Sequence, residues 1–300
     1  MPNQPLGPTG LLAQSMTLPA GSQSMAMGGM GLRAQGMDGR KKGVRIFQIA
    51  PAVNGKTIWN LDIDGALNLS TQGTWTITPL GSFNVNVKAW GEGGKQDRDG
   101  PAGAGAFAGG TLSVVAGEAL LAGVGQGRGP GSAFGPSPGG GWVGLLVNAS
   151  LAALLIAGAG GGGGYNIGIP GGAGGYPSGI TGGADGPTDL GGVGATQVGP
   201  GAGGVSTSAV NPTNGGNGSG RNGGAGGYAG GGGGGGYFGG GGGAGSDFRG
   251  AGGGGGSSYF NPSRVSNPSM LSGSGTTPGN ASDPDRNGAG SALSGRLILS

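Results

Sequence analysis

Three stretches carry residue types that could do chemistry. Ala50-Pro51-Ala52-Val53-Asn54-Gly55-Lys56-Thr57 fits a loose phosphate-loop pattern after an apparent strand. Such a loop works only when a helix follows, because the helix N-terminus supplies the amides that hold phosphate. Here Trp59, Leu61 and Ile63 alternate with polar residues, which is a strand pattern, so nucleotide binding is not expected. Asp283-Pro284-Asp285-Arg286-Asn287-Gly288 resembles the start of a calcium loop. Its twelfth position is Ser294 rather than a bidentate Glu, and a turn held by Asp and Asn side chains accounts for it better. Asp97 and Asp99 are a close acidic pair in Gly-rich sequence, where a solvated loop is the default. The chain has neither histidine nor cysteine, so the common nucleophile–base pairs, disulfides, zinc fingers and iron–sulfur sites are unavailable. No catalytic residue, cofactor or metal is expected, and Asn148-Ala149-Ser150 and Asn280-Ala281-Ser282 carry little weight as glycosylation acceptors without a secretory signal.

What remains is binding chemistry. Tyr165, Tyr176, Tyr228, Tyr237 and Phe238 interrupt glycine runs and are the candidate receptor contacts, since tyrosine offers large contact area at low entropic cost. The competing reading wedges these rings against a neighbouring sheet. Met16, Met25, Met27, Met30 and Met37 sit among small residues in the first 43 positions and are the candidate assembly contacts. Methionine suits irregular interfaces because it is unbranched and polarizable.

The elements that must position these residues are unusual. Glycine contributes 87 of 300 residues and proline 19, and the segment from Ala157 to Gly256 holds blocks such as Gly160–Gly164, Gly230–Gly236, Gly239–Gly243 and Gly252–Gly256. Glycine has no side chain to bury, and ordering its backbone costs more entropy than ordering any other residue. The tract is therefore either a flexible linker, as composition alone suggests, or a packing of backbone on backbone. The aromatic residues within it and the strand-like segments on both sides favour the second. Left-handed extended helices with about three residues per turn point every N–H and C=O sideways, and without side chains they can bond laterally. A strict Gly-X-Y repeat is missing, so the tract is not collagen.

Around the tract, strands are expected at Val44–Ile49, Thr74–Thr78, Phe83–Trp90, Thr111–Val115, Ala119–Val124, Trp142–Val147, Leu151–Ile156 and Gly295–Leu299. A hairpin is expected around Asp64-Gly65, with Ile63 facing Leu67 and Leu61 facing Leu69. Gly91–Gly110, Gly125–Gly141 and Asn261–Gly290 are read as loops. The most apolar stretch, Gly144–Ala157, is too short to span a bilayer as a helix, and Met1–Leu12 does not read as a signal peptide. Charged residues are only 9 % of the chain and the net charge is +3, which gives little pull toward nucleic acid. The Arg40-Lys41-Lys42 cluster with Arg45 reads as a solvated junction.

The series Trp75-Thr76-Ile77-Thr78-Pro79, Phe83–Trp90-Gly91 and Gly110-Thr111-Leu112-Ser113-Val114 with Gly117-Glu118-Ala119-Leu120 resembles a widespread glycine-rich domain. Leu155-Ile156-Ala157-Gly158 opening into glycine blocks, Gly256-Ser257-Ser258-Tyr259 and Asp283-Pro284-Asp285 before the last strand extend the likeness over about residues 73–300. The domain is similar to the glycine-rich extracellular region of the anaplastic lymphoma kinase and leukocyte tyrosine kinase receptors, with related sequences in bacterial and phage surface proteins. The tail-tip adhesins of T-even-like phages also use polyglycine helices. The resemblance implies a mainly β fold: a small antiparallel β-sandwich clamping a bundle of polyglycine-II-type helices. The receptors' cysteines, kinase and membrane span are absent, so cytokine binding does not carry over.

The expected organisation is an extended assembly arm over residues 1–43, a β-hairpin or linker region over 44–72, and the glycine-rich domain over 73–300. An arm without a core needs a neighbour to order it. The function expected is that of a non-enzymatic virion structural protein: a phage tail or neck fibre or adhesin, docked on other virion proteins through residues 1–43. It would present loops to a host surface receptor and occur in several copies in a symmetric assembly. A capsid decoration or cement protein, and an extracellular ligand-binding module, are the alternatives.

Overall fold

The computed structural model describes residues 44–96, 100–132, 135, 137–165, 168–247 and 249–300. The whole of the expected assembly arm, with Met16, Met25, Met27, Met30 and Met37, lies outside the described residues, as does the Asp97/Asp99 pair. In chain order the strands are β1 (Ile46–Val53), β2 (Lys56–Asn60), β3 (Leu67–Leu69), β4 (Gly73–Pro79), β5 (Phe83–Trp90), β6 (Phe107–Val114) and β7 (Leu120–Gln126). They continue as β8 (Trp142–Val147), β9 (Ala153–Ala157), β10 (Gly245–Ser246), β11 (Arg249–Gly250), β12 (Tyr259–Phe260), β13 (Val265–Leu271) and β14 (Arg296–Leu299). A single 3-10 turn, Pro284–Arg286, is the helical element among the described residues.

Alternation of apolar and polar residues explains the two larger sheets. In β5, Val85, Val87 and Ala89 turn inward while Asn84 and Asn86 face out. One sheet has the order β12-β9-β8-β7-β4-β1-β2 and the other β13-β6-β5-β14-β3, with antiparallel pairing throughout. Phe47, Ile49, Ile77, Leu120, Leu145 and Leu155 from the first meet Val85, Val87, Leu112, Leu297 and Leu299 from the second in one buried core. This is a β-sandwich.

The expected hairpin around Asp64-Gly65 does not form. β2 pairs back onto β1 through Asn54 and Gly55, whose φ angles of 50° and 75° are those that a tight two-residue hairpin turn requires. The apparent phosphate loop is this turn. Residues 61–64 form a turn in which Ile63 is 79 % exposed, and β3 crosses to the opposite sheet to pair with β14, Leu67 opposite Leu299 and Leu69 opposite Leu297. Residues 46–60 and 67–69 are thus strands of the sandwich itself. β6 begins at Phe107, inside the segment read as a loop, and the polar stretch after Asn261 contains β13, which crosses Pro268 on an edge strand.

At one end of the sandwich the strands run into the glycine tract. β5, β7 and β9 lead into residues 91–96, 127–132 and 158–164, while 100–106, 137–141 and 250–257 lead into β6, β8 and β12. These segments, with 169–175, 178–183, 190–196, 201–206, 213–219, 222–228, 230–236 and 239–245, lie side by side and bond through their backbones. Segment 230–236 shows the rule. Gly231 and Gly234 donate to Ala251 and Gly254, Gly232 and Gly235 to Ser137 and Gly140, and Gly233 and Gly236 to Gly224 and Arg221. The carbonyls of Gly231 and Gly234 accept from Gly243 and Gly240, those of Gly232 and Gly235 from Gly162 and Ala159, and that of Gly233 from Gly129, all at 2.8–3.1 Å. Every third residue therefore addresses the same neighbour, and this segment is surrounded on all sides by other backbone. Segments 158–164, 239–245 and 250–257 follow the same pattern.

Side chains cannot enter such an arrangement. A Cβ on Gly253 would overlap the Gly232 carbonyl, and one on Gly241 would overlap that of Ala202. Gly199, at a surface bend, has open space where its Cβ would lie. Gly253→Ala should lower unfolding free energy by about 2–4 kcal/mol through overlap and lost bonds, whereas Gly199→Ala should stay within about 0.5 kcal/mol of the parent. Chemical denaturation of the two variants measures both; equal stabilities would mean that close backbone contact does not hold the tract.

Candidate functional site

The five aromatic candidates divide by where the bundle meets the sandwich. Tyr237 lies on Tyr259 of β12, with ring centroids 4.1 Å apart and planes 13° apart, and Phe238 meets the Tyr237 edge at 4.9 Å. Tyr237 and Tyr259 together close a small cluster of Trp142, Leu146, Ala153 and Ile156 on the outer face of β8 and β9. Burial, and then the neighbouring Tyr237, push the Tyr259 hydroxyl above the usual phenol range. Tyr176 is more open, 37 % exposed, and its ring lies 6.1 Å from that of Phe260. Tyr165 and Tyr228 are half-buried within the bundle margin. The structure brings Tyr237 and Phe238 together and joins Tyr176 to the same edge strand through Phe260, but it does not gather the five on one surface.

A different surface was not singled out in the sequence. Segments 178–183, 190–196 and 201–206 lie next to one another, linked by Gly182 N–H to the Gly192 carbonyl, Leu190 N–H to that of Val205 and Val193 N–H to that of Ala202. Ile180, Leu190, Val193 and Val205 point away from the lattice and are each about half-exposed. Leu190, Val193 and Thr196 follow the period of three that the backbone bonding imposes. That spacing of non-glycine residues was the available signal. Where segment 213–219 flanks 201–206, Asn217 and Asn214 accept from the Gly203 and Ser206 amides at 2.8 and 2.9 Å, so side-chain amides join the two segments beside the backbone bonds from Gly215 and Gly218.

Buried acids in the bundle are structural. Glu92, 1 % exposed, receives both Arg128 Nε and Nη2, at 2.7 and 2.6 Å, and the Gly141 amide at 2.8 Å. The pair fastens the end of β5 to the segments that follow β7 and precede β8. Asp189, also buried, accepts from the Ser206 and Ser246 hydroxyls at 2.5 and 2.8 Å. Each satisfies the requirement that a buried charge be paired or hydrogen-bonded.

On the outer face of β5, Lys88 reaches Asp283 at 2.9 Å and Asp285 at 2.8 Å. Asp283 also caps the 3-10 turn by accepting from the Asp285 amide, and Asn280 Nδ2 donates to it. The segment considered for calcium is thus a side-chain-stabilised turn that turns its acids toward an ammonium. Among the described residues no three acidic groups are placed to hold a metal together, and no helix is long and apolar enough to cross a membrane. No protein-family model matches this chain, and no curated protein sequence matches it.

Burial opposes ionisation of Asp283, but the bonds from Lys88, the Asp285 amide and Asn280 outweigh it and hold the carboxyl below its usual range. The Asp285 carboxylate, against the opposing effect of burial and with help from Asp283, holds the Lys88 ammonium above its usual range. A depressed carboxyl contributes stability that is complete above its unfolded pKa and is lost as pH falls through the folded value. The parent should therefore weaken as pH drops below about 4. Lys88→Met removes the main partner of Asp283, so it should lower stability at neutral pH and flatten the acid decline. Parallel pH-dependent denaturation curves for parent and variant would show that Lys88 does not set the Asp283 ionisation.

Proposed function

We propose that this chain is a non-enzymatic structural protein of a virus particle, a tail or neck fibre or adhesin that docks through residues 1–43 and displays its glycine-rich domain to a host surface. The glycine segments are read as polyglycine-II-type helices, left-handed and rising about 3.1 Å per residue. The observation that carries this reading is the bonding of segment 230–236, in which every third peptide group returns to the same neighbour. A scaffold bonded in all lateral directions is stiff, and it leaves outward positions such as Leu190 and Val193 free to hold recognition side chains. The resemblance of residues 73–300 to glycine-rich surface domains of phages points the same way.

Recognition is assigned to side chains at the bundle margin and to the loops between segments, with Tyr176 the most open of the aromatic candidates. Half-exposed aliphatic rows on a flat backbone surface form a patch of the kind used for protein contact. With net charge +3 over 300 residues, the chain has no strong field to draw nucleic acid.

Antibodies against residues 44–300 should label a tail or neck appendage of the particle that carries the chain, and the purified protein should compete with that particle for adsorption to its host. Even labelling over the capsid surface would move the assignment to a decoration protein. Recovery of the chain only as a free secreted protein would remove the virion reading and leave an extracellular binding module.

A further inference from the structure

A cleft of about 340 Å³ opens at the margin of the sandwich, where the end of β1, the end of β3 and the start of β4 come together. β1 and β4 belong to one sheet and β3 to the other, so the cleft lies between the sheets. Val53, Leu69 and Trp75 give it an apolar wall: Leu69 is buried, while Val53 and Trp75 pack partly buried against the main core. Gly73 makes room for the indole, since a Cβ there would press on the benzo ring of Trp75 at 3.1 Å. Trp59, Trp90 and Trp142 are all buried, whereas Trp75 keeps part of its surface open.

Asn54, Asn68, Ser70 and Thr71 form the rim and are exposed. None of these four side chains is engaged in a hydrogen bond among the described residues. The contrast with the cleft near Lys88 is instructive. There Lys88, Asp283 and Asn280 satisfy one another, and the Thr111 hydroxyl donates to Asn86 Oδ1 at 3.0 Å. The Lys88 network is closed on itself; the Trp75 rim is open.

We propose that the Trp75 cleft binds a neutral sugar ring of a surface glycan. A pyranose has an apolar C–H face and a periphery of hydroxyls that both donate and accept. The indole and the Val53 and Leu69 side chains match the first, and two amides with two hydroxyls match the second, because each amide offers a donor pair and an acceptor. The lining holds no ionisable side chain, so a charged ligand would lose solvation with no counter-charge to replace it. A peptide would need a longer groove with further apolar pockets, whereas this cleft is short and its rim is polar. The cleft belongs to the sandwich alone; its use in host attachment rests on the adhesin reading.

The test is titration of the full chain with the methyl glycosides of glucose, galactose, mannose and N-acetylglucosamine, followed by saturation-transfer NMR on the sugar signals and by tryptophan fluorescence. At least one should bind saturably with a dissociation constant on the order of 1 mM, as expected for one shallow pocket. Asn68→Ala, an exposed change that should leave the unfolding midpoint unaltered, should weaken binding about fivefold, and Trp75→Ala should weaken it about tenfold or more. Trp75→Phe keeps an aromatic wall and should retain part of the affinity, which separates loss of the platform from loss of fold. Absence of saturable binding by all four glycosides would overturn the proposal. So would binding that is unchanged in Asn68→Ala and Trp75→Ala, or preference for glucuronic acid, sialic acid or a proline-rich peptide. Because these measurements use the isolated chain and the antibody labelling uses the particle, the cleft and the virion assignment can fail separately.

Discussion

The glycine tract depends on one requirement, that peptide groups pack against peptide groups with no Cβ between them. An ordinary core removes apolar side chains from water. In the glycine tract the buried matter is backbone, and a buried N–H or C=O without a partner costs more than a made bond returns. The lattice meets this by giving interior amides carbonyls on adjacent segments, with side-chain oxygens such as Glu92 Oε2 and Ser258 Oγ taking those of Gly141 and Gly158. Gly231 through Gly236 each donate to a different segment from the residue before. Bonds spread over so many partners make local loosening costly, since moving one segment disturbs all its neighbours. The same closeness explains the composition: Gly241 and Gly253 have no room for even a methyl group.

The sandwich supplies what the lattice lacks, which is a conventional core and a fixed end. Strands β5, β7 and β9 carry the chain out of that core in extended form, so the first residues of the bundle inherit their direction from paired strands. Glu92 marks this junction. Its carboxylate is buried two residues past the end of β5, with Arg128 and the Gly141 amide on it. A polar clasp suits the position, because the adjoining lattice has no apolar side chains to offer. Burial of such a pair is weak evidence for added stability, but its geometry fixes which segments lie beside which.

The sequence was legible where structure is local. Alternation in Phe83–Trp90 corresponds to β5, the apolar run Trp142–Val147 to β8, and the glycine blocks point to backbone packing. It was illegible where pairing is distant or where one local signal hid another. Asn54-Gly55 is a strong two-residue hairpin signal, yet the following Lys56-Thr57 drew it into a phosphate-loop pattern. Leu67 and Leu69 suggested a return onto Leu61 and Ile63, while their true partners lie more than two hundred residues on in β14, a distance no local pattern encodes. β13 was hidden by Pro268 and by its polar, outward-facing residues, which an edge strand tolerates. At the candidate site, Tyr237 and Phe238 were readable as interruptions of glycine, but the stacking of Tyr237 on Tyr259 depends on the fold bringing 237 beside 259 across a glycine excursion.

The proposed display role follows from a separation that this architecture creates. In a side-chain core, changing one inward residue perturbs its packing partners, and surface and interior are coupled through each element. In the lattice, an outward position recurs at every third residue, and an aliphatic side chain there, such as that of Leu190 or Val193, projects away from the bonded backbone. Leu190, Val193 and Thr196 occupy one such row. Substituting Leu190 or Val193 therefore changes the surface chemistry while leaving the bonds of the glycines between untouched. A scaffold with this property can vary what it binds without re-solving how it folds, and that is the physical demand the proposed display role would place on it.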